Sequence, residues 1–170
     1  PHLTRMIPTP RPDPALAEIV ARLTRASRIV VASHERPDGD AIGSGLALVL
    51  ALRAIGKEAQ MAVCAVPPAN LQPFPAVDNL WITGQVDEAF DAAVIMECGD
   101  LARTGITGLD RSPVLNIDHH PGNTRYGAVN WVDESAAACG ELVYALITAL
   151  GAPVTADVAK HIYLPILTDP

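Results

Sequence analysis

Three short clusters of acids and histidines punctuate this chain, and their residue types are those that bind cations. His34, Asp38 and Asp40 lie within one short stretch, Glu97 stands close to Asp100, and Asp118, His119 and His120 are consecutive. Carboxylate oxygens suit hard divalent cations and imidazole nitrogens suit transition metals, so the mixture fits Mn²⁺, Mg²⁺ or Fe better than structural zinc. Two such ions ~3.5–4 Å apart can share a carboxylate and clamp both the attacking and the leaving oxygen of a phosphoryl group. Hydrolysis of a phosphate ester is the chemistry that follows. The first cluster alone has a second reading, a solvated loop in which Asp38-Gly39 turns the chain and Asp40 caps a helix.

The clusters must be brought together by the elements before them. Each follows an apolar run: Ile29-Val30-Val31-Ala32, then Ala92 to Met96, then Pro113 to Ile117. These runs read as buried strands, and in a parallel sheet the carboxyl ends share one edge, where residues distant in sequence can meet. The expected fold is therefore α/β: a doubly wound, mainly parallel sheet with helices on both faces and a metal site at the C-terminal edge of the strands. Further strands are expected at about 59–65, 79–83 and 128–132, with a proline-rich loop at 66–75. Helical spacing of apolar residues predicts helices over about 15–26 and 41–55, and over 136–150 after a Ser135 cap. Gly43 and Gly45 would let the second of these pack tightly on the sheet. A last helix begins near Ala156, and Pro165 is expected to break it.

Composition narrows the partners. The 170 residues suit one domain, 49% of them apolar and only 4% aromatic. A net charge of −7 without a Lys/Arg cluster argues against binding the backbone of long nucleic acids. A phosphate substrate is compatible with that charge if bound cations supply the positive side. Cys64, Cys98 and Cys139 are isolated, which points to a reducing, cytoplasmic setting rather than a disulfide framework. No run approaches ~18 apolar residues, so no membrane span is expected, and the opening residues lack the apolar stretch of a secretory signal. Residues 1–14, with five prolines, read as a loose arm. His2 and His161 read as surface residues, Trp81 and Trp131 as packing, and Cys98 as a small buried residue. The turn after the first strand has no G-x-G-x-x-G, which counts against a Rossmann dinucleotide binder.

Asp118-His119-His120, the His34-x-x-x-Asp38-x-Asp40 motif, Asn130-Trp131-Val132 and Glu141-Leu142-Val143-Tyr144 together resemble the DHH phosphoesterases, over nearly all of the chain from Ala15 onward. Within that family the chain is most similar to the nanoRNase/pAp phosphatase branch, which trims very short oligonucleotides and dephosphorylates 3′-phosphoadenosine 5′-phosphate (pAp). The resemblance implies two Mn²⁺ ions, with Mg²⁺ or Fe as substitutes, and a short oligonucleotide or nucleotide as substrate; it leaves a homodimer open. It implies that His34 and Asp38 bind one ion and Asp40 and His119 the other, with Asp169 a further ligand and Glu97 at the bridging position. Asp118 would orient its neighbours. His120 would contact the scissile phosphate or protonate the leaving oxygen. Arg103 would touch phosphate or form a structural ion pair.

Three departures set further expectations. Glu97 stands where the family has aspartate, and its extra methylene predicts weaker occupancy of at least one metal position. Asp169 is followed by Pro170 in place of threonine. The family's second, substrate-gripping domain is absent from residues 15–170, so the chain reads as a fragment or a reduced relative with slow turnover on its own. Two other functions remain open at this point: a catalytically impaired binding or regulatory module of the same fold, and a cyclic-dinucleotide phosphodiesterase or pyrophosphatase using the same ions.

Overall fold

Apolar runs bounded by polar or turn-forming residues become strands in the computed structural model, which describes residues 13–168. Most of the proline-rich arm, His2 within it, and Asp169 with Pro170 lie outside the described residues. The strands are β1 (Arg28–Ala32), β2 (Glu58–Val63), β3 (Trp81–Ile82), β4 (Ala92–Met96), β5 (Val114–Asp118) and β6 (Val129–Val132). They form one sheet in the order β3-β2-β1-β4-β5-β6, with every neighbouring pair parallel. The strand pleat sorts their side chains. Ile29, Val31, Val94, Met96, Leu115 and Ile117 enter one core, whereas Val30, Ala32, Ala93 and Ile95 enter the other.

Four α-helices cover the first face: α1 (Pro14–Arg25), α2 (Gly39–Ala54), α3 (Cys139–Ala149) and α4 (Ala156–Thr168). The second face is closed by Val86, Phe90, Ile106 and Leu109, from a segment that includes short 3-10 helices at Leu101–Thr104 and Leu109–Arg111. Right-handed crossovers explain the division. Connections running from β1 toward β2 lie on one face, and those running the other way, into β4 and β5, lie on the opposite one. The order reverses between β1 and β4, which opens a crevice at their carboxyl ends.

Local chemistry sets the helix boundaries. α1 begins at Pro14, where proline needs no N–H partner, and the Asp13 carboxylate accepts from the Ala15 N–H at 2.8 Å. The Ser135 cap does not form: Asp133 takes both the Ser135 N–H at 2.9 Å and its Oγ at 2.6 Å, and α3 starts only at Cys139. Nor does Pro165 break α4, which continues to Thr168. The ring of Pro165 fills a seam that two glycines leave open. A Cβ on Gly43 would lie 2.5 Å from Pro165 Cδ and 2.6 Å from the His161 carbonyl, and one on Gly140 would lie 2.7 Å from Pro165 Cβ. Packing in that seam offsets the backbone hydrogen bond the proline cannot make. Gly43 thus faces α4, while Gly45 is the glycine that admits a sheet side chain, Met61 of β2.

His161 is a third correction, since it is fully buried rather than on the surface. Its Nε2 donates to the Pro75 carbonyl at 2.7 Å, joining α4 to the proline-rich loop. No helix among the described residues is long and apolar enough to cross a membrane.

Candidate metal centre

The crevice at the carboxyl edge collects the three clusters. His34, Asp38, Glu97, Asp100, Arg103 and His120 all line one cavity of about 460 Å³, with Asp40 and Asp118 buried beneath it. β1 delivers His34 through Asp40, β4 delivers Glu97, and β5 carries Asp118 as its last residue.

The Asp38 carboxylate caps α2 by accepting from the Ala41 N–H at 3.0 Å, so the capping role falls on Asp38 and not Asp40. His34 Nε2 is 3.5 Å from Asp38 Oδ2. Burial opposes ionisation of Asp38, but bonds from His34 and the Ala41 N–H outweigh it and hold its carboxyl below the usual range. Asp40 lies inside the first turn of α2 and is almost fully buried. Its Oδ1 accepts from Ser44 Oγ at 2.6 Å, and its Oδ2 accepts from the Cys139 N–H at 2.8 Å. Asp40 therefore caps α3, which has no side-chain cap of its own, and the N-terminal dipole of α3 favours that carboxylate.

His119 shows the orientation expected of a metal-binding imidazole. Its Nδ1 lies 3.1 Å from the Ala136 carbonyl, which can only accept, so Nδ1 carries the hydrogen. Nε2 is thereby aimed at Glu97 Oε1, 3.2 Å away, and Asp40 Oδ2, 3.7 Å away. His120 is held differently. Its Nδ1 lies 3.0 Å from Asp118 Oδ1 and 3.6 Å from Glu97 Oε2, and half of its side chain is exposed to the cavity. Donor atoms of Glu97, His119 and His120 fall within 4.8 Å of one another. Asp100 is not part of that group; it caps the 3-10 helix at Leu101–Thr104 by accepting from the Ala102 N–H at 2.9 Å.

Glu97 has φ of +55°, a left-handed conformation that costs a residue with a Cβ about 1–2 kcal/mol. Its N–H still bonds the Ile117 carbonyl at 3.2 Å, and the kink just after β4 aims the longer side chain at both imidazoles. Strained backbone at the end of a strand, beside buried acids, marks Glu97 as a candidate functional residue.

The donor set fits divalent cations. Asp40, Glu97 and Asp118 are each no more than 3% exposed, and the imidazoles of His119 and His120 stand within 3.7 Å of them. Burying an ionised carboxylate costs several kcal/mol without compensation, which a cation among them would supply. Arg103 lines the cavity, and no carboxylate among the described residues forms a salt bridge with it. Asp169 lies outside the described residues.

Reading the sequence for acids and histidines missed a layer of amides beneath them. Asn123 Nδ2 donates to Asp118 Oδ2 at 2.7 Å, and Asn116 Nδ2 donates to Asn123 Oδ1 at 2.7 Å and to Asn130 Oδ1 at 3.0 Å. Asp118 Oδ1 accepts the His119 and His120 N–H groups at 2.8 and 3.1 Å, so both oxygens of this acid are engaged in orienting others. The available signal was Asn116 itself, one polar residue inside an apolar strand and on the same pleat face as Asp118. Cys98 is buried with its thiol donating to the Asp100 carbonyl at 3.0 Å, and burial pushes its pKa up to about 11.

Comparison with known proteins identifies the family. The chain is 37% identical over 164 residues to the bifunctional oligoribonuclease and PAP phosphatase NrnA of Thermus thermophilus, covering 93% of this chain and 49% of that protein. It is 31% identical over 134 residues to the protein of the same name from Bacillus subtilis, covering 76% of this chain and 41% of that protein. The chain thus spans about half the length of the curated relatives it matches. The crystal structure of an exopolyphosphatase-related protein from Bacteroides fragilis superposes with a TM-score of 0.82 over 91% of this chain and 49% of that one, at 24% identity, a likeness of fold. The model of the DHH family, N-terminal domain, matches residues 28–166, from the first residue of β1 to the last turn of α4. The chain belongs to the DHH family and forms its N-terminal domain.

Proposed function

We propose that this domain is the metal-binding part of a phosphoesterase that hydrolyses short oligonucleotides or nucleotide phosphates such as pAp, with two Mn²⁺ ions as cofactor and Mg²⁺ or Fe as substitutes. The observation that carries the reading is the Glu97 carboxylate set between His119 Nε2 and His120 Nδ1, with Asp40 Oδ2 facing the same His119 Nε2. The names of the relatives supply the substrate class. The three cysteines are unpaired, as a reducing cytoplasm requires.

In this reading His34 with Asp38 and Asp40 with His119 would hold the ions, with Glu97 between the two pairs and Asp169 offering a further carboxylate. Bound there, the cations would polarise a phosphoryl group and make a nucleophile available at neutral pH. The protein's own contribution is orientation. Asp118 Oδ1 accepts from His120 Nδ1–H, which turns Nε2 toward the cavity; with both ring nitrogens protonated, His120 would give the Nε2 proton to the leaving oxygen and become the neutral imidazole. Asn123 and Asn116 keep Asp118 from turning away. Arg103, on the cavity wall, pairs with a phosphate oxygen.

The test is calorimetric titration with Mn²⁺, together with Mn²⁺-dependent release of AMP from pApA and phosphate release from pAp. Glu97→Gln should lose at least about tenfold in metal affinity, the usual cost of a spoiled metal environment. Glu97→Asp should tighten at least one site, since aspartate both tolerates the left-handed backbone better and restores the shorter reach. Unchanged Mn²⁺ binding in Glu97→Gln would overturn the assignment. Two occupied sites without hydrolysis of either substrate would make this a binding module on the same fold.

A further inference from the structure

A second hollow adjoins the metal cavity, and its chemistry is the opposite of its neighbour's. It has a volume of about 590 Å³, within the range of small-molecule sites. Pro37, Val66, Pro68 and Leu71 form its walls, and Glu35 and Asn70 stand among them. Arg36 and Asp38 line both hollows, so these two side chains mark the boundary between them.

Three features of this hollow indicate what it takes. Val66 is 64% exposed, and it shares the wall with buried Leu71 and with Pro68, an apolar surface open to a ligand's face. The loop carrying them is rigid: the Leu71 N–H bonds the Pro68 carbonyl at 2.9 Å, the Phe74 N–H bonds the Leu71 carbonyl at 3.1 Å, and the Pro75 carbonyl is tied to buried His161 at 2.7 Å. A preformed wall binds without the ordering cost of a mobile loop. The Arg36 guanidinium makes no hydrogen bond or ion pair with a described residue, and it stands at the mouth between the acidic and apolar hollows. It can pair with a phosphate or lie flat on an aromatic face.

We propose that this hollow is a nucleobase subsite. It would take the base of the nucleotide whose phosphate lies at the metal centre, with the base against Val66 and Pro68, its edge read by the Asn70 amide, and Arg36 gripping the phosphate between the hollows. The inference rests on the phosphoesterase reading and adds the residues that choose a nucleotide over a bare phosphate ester.

The experiment compares equilibrium binding of AMP and ribose 5-phosphate, which differ by the base alone, to the Mn²⁺-loaded protein. The wild type should prefer AMP by at least about tenfold, the return on one stacked and edge-bonded base. Val66→Ser combined with Pro68→Ser should bring that preference within about threefold while leaving ribose 5-phosphate affinity unchanged. Arg36→Gln should weaken both ligands alike, by about tenfold. Val66, Pro68 and Arg36 are exposed, so these variants should keep the wild-type melting temperature and Mn²⁺ affinity. Equal binding of AMP and ribose 5-phosphate by the wild type, or a preference that survives the double serine variant, would overturn the subsite. Mn²⁺ titration and Mn²⁺-dependent cleavage of bis(p-nitrophenyl) phosphate, which carries neither sugar nor base, report separately on the phosphoesterase reading. If both of those fail, that reading falls, and the AMP preference measured without metal judges the subsite by itself.

Discussion

The seam between α2, α3 and α4 and the carboxyl edge of the sheet are built partly from the same helices, yet opposite means hold them. In the seam, Gly43 and Gly140 make room for Pro165 by having no side chain, and dispersion contacts do the rest. At the edge, directed hydrogen bonds fix Asp40 through Ser44 and the Cys139 N–H, and Asp118 through Asn123 and two backbone N–H groups. Asp40 and Gly43 lie within one turn of α2, so the side chain aimed at the site and the gap that locates its helix are neighbours. The seam tolerates no added volume.

The largest effect should therefore come from volume in the seam. Gly43→Leu would press a branched side chain against Pro165 and the His161 carbonyl, which is backbone and cannot swing aside. We expect a loss of about 3 kcal/mol, the upper part of the overpacking range, and a fall of roughly 6–12 °C in melting temperature. Thermal unfolding followed by circular dichroism measures it, and a variant melting like the wild type would mean the seam is looser than its geometry. The edge should respond to metal instead. At a Mn²⁺ concentration of about 100 times Kd the wild type should gain about 2.7 kcal/mol, roughly 5–11 °C. Glu97→Gln and His119→Ala should lose most of that gain. His120→Ala should keep most of it, because the His120 Nδ1 is already committed to Asp118. An equal loss in all three variants would place His120 among the ligands.

The same contrast decides what could be read from the sequence. Acids and histidines after apolar runs are visible as residue types, and the parallel sheet brings them to one edge whatever the details of packing. The seam was not visible. Pro165 reads as a helix breaker until the glycines that receive it, far away in the chain at positions 43 and 140, are placed beside it. Ser135 reads as a cap until Asp133 is seen to claim it and Asp40, from another helix, to replace it. His161 reads as exposed because a lone histidine on a helix usually is; its burial follows from the proline-rich loop folding over it. Local rules located the elements, and long-range contacts overrode them where a missing side chain or a distant acceptor changed the balance.

His161 gives the next effect in size, and it concerns how the seam responds to pH. Burial lowers its pKa below the ordinary value, against the opposing influence of the Pro75 carbonyl and Asp157, and Lys160 adds to the lowering. Nε2 donates to Pro75, and the buried Nδ1 has no hydrogen-bond partner among the described residues, so a proton there would place a charge without an acceptor. The unfolded chain takes up that proton first, near pH 6.5. Stability from this group is thus present above about pH 6.5 and falls as the pH drops toward the lower folded value, with a slope of at most about 1.4 kcal/mol per pH unit. His161→Gln, whose amide can still donate to Pro75, should flatten that slope in urea unfolding between pH 7 and 5. The same slope in both proteins would assign the acid sensitivity elsewhere.

The smallest effect distinguishes the two regions by how they open. Cys98 sits beside the edge in the core closed only by loops and 3-10 helices, whereas Cys139 begins α3 within the core that the four α-helices cover. Neither is accessible in the folded state, and Cys64 is partly exposed. A helix N-terminus ordinarily lowers a thiol's pKa. At Cys139 burial, followed by the charges of Glu97, Asp40 and Asp118, raises it instead. At pH 8, iodoacetamide should therefore modify Cys64 alone in the native protein. In urea below the unfolding transition, Cys98 should react before Cys139, because the face closed by loops has less apolar contact to break than the helical one. Mass spectrometry of the alkylated peptides reads the order directly. Equal rates at the two thiols would mean that edge and seam open together as one cooperative unit, and that the difference between them is one of construction and not of stability.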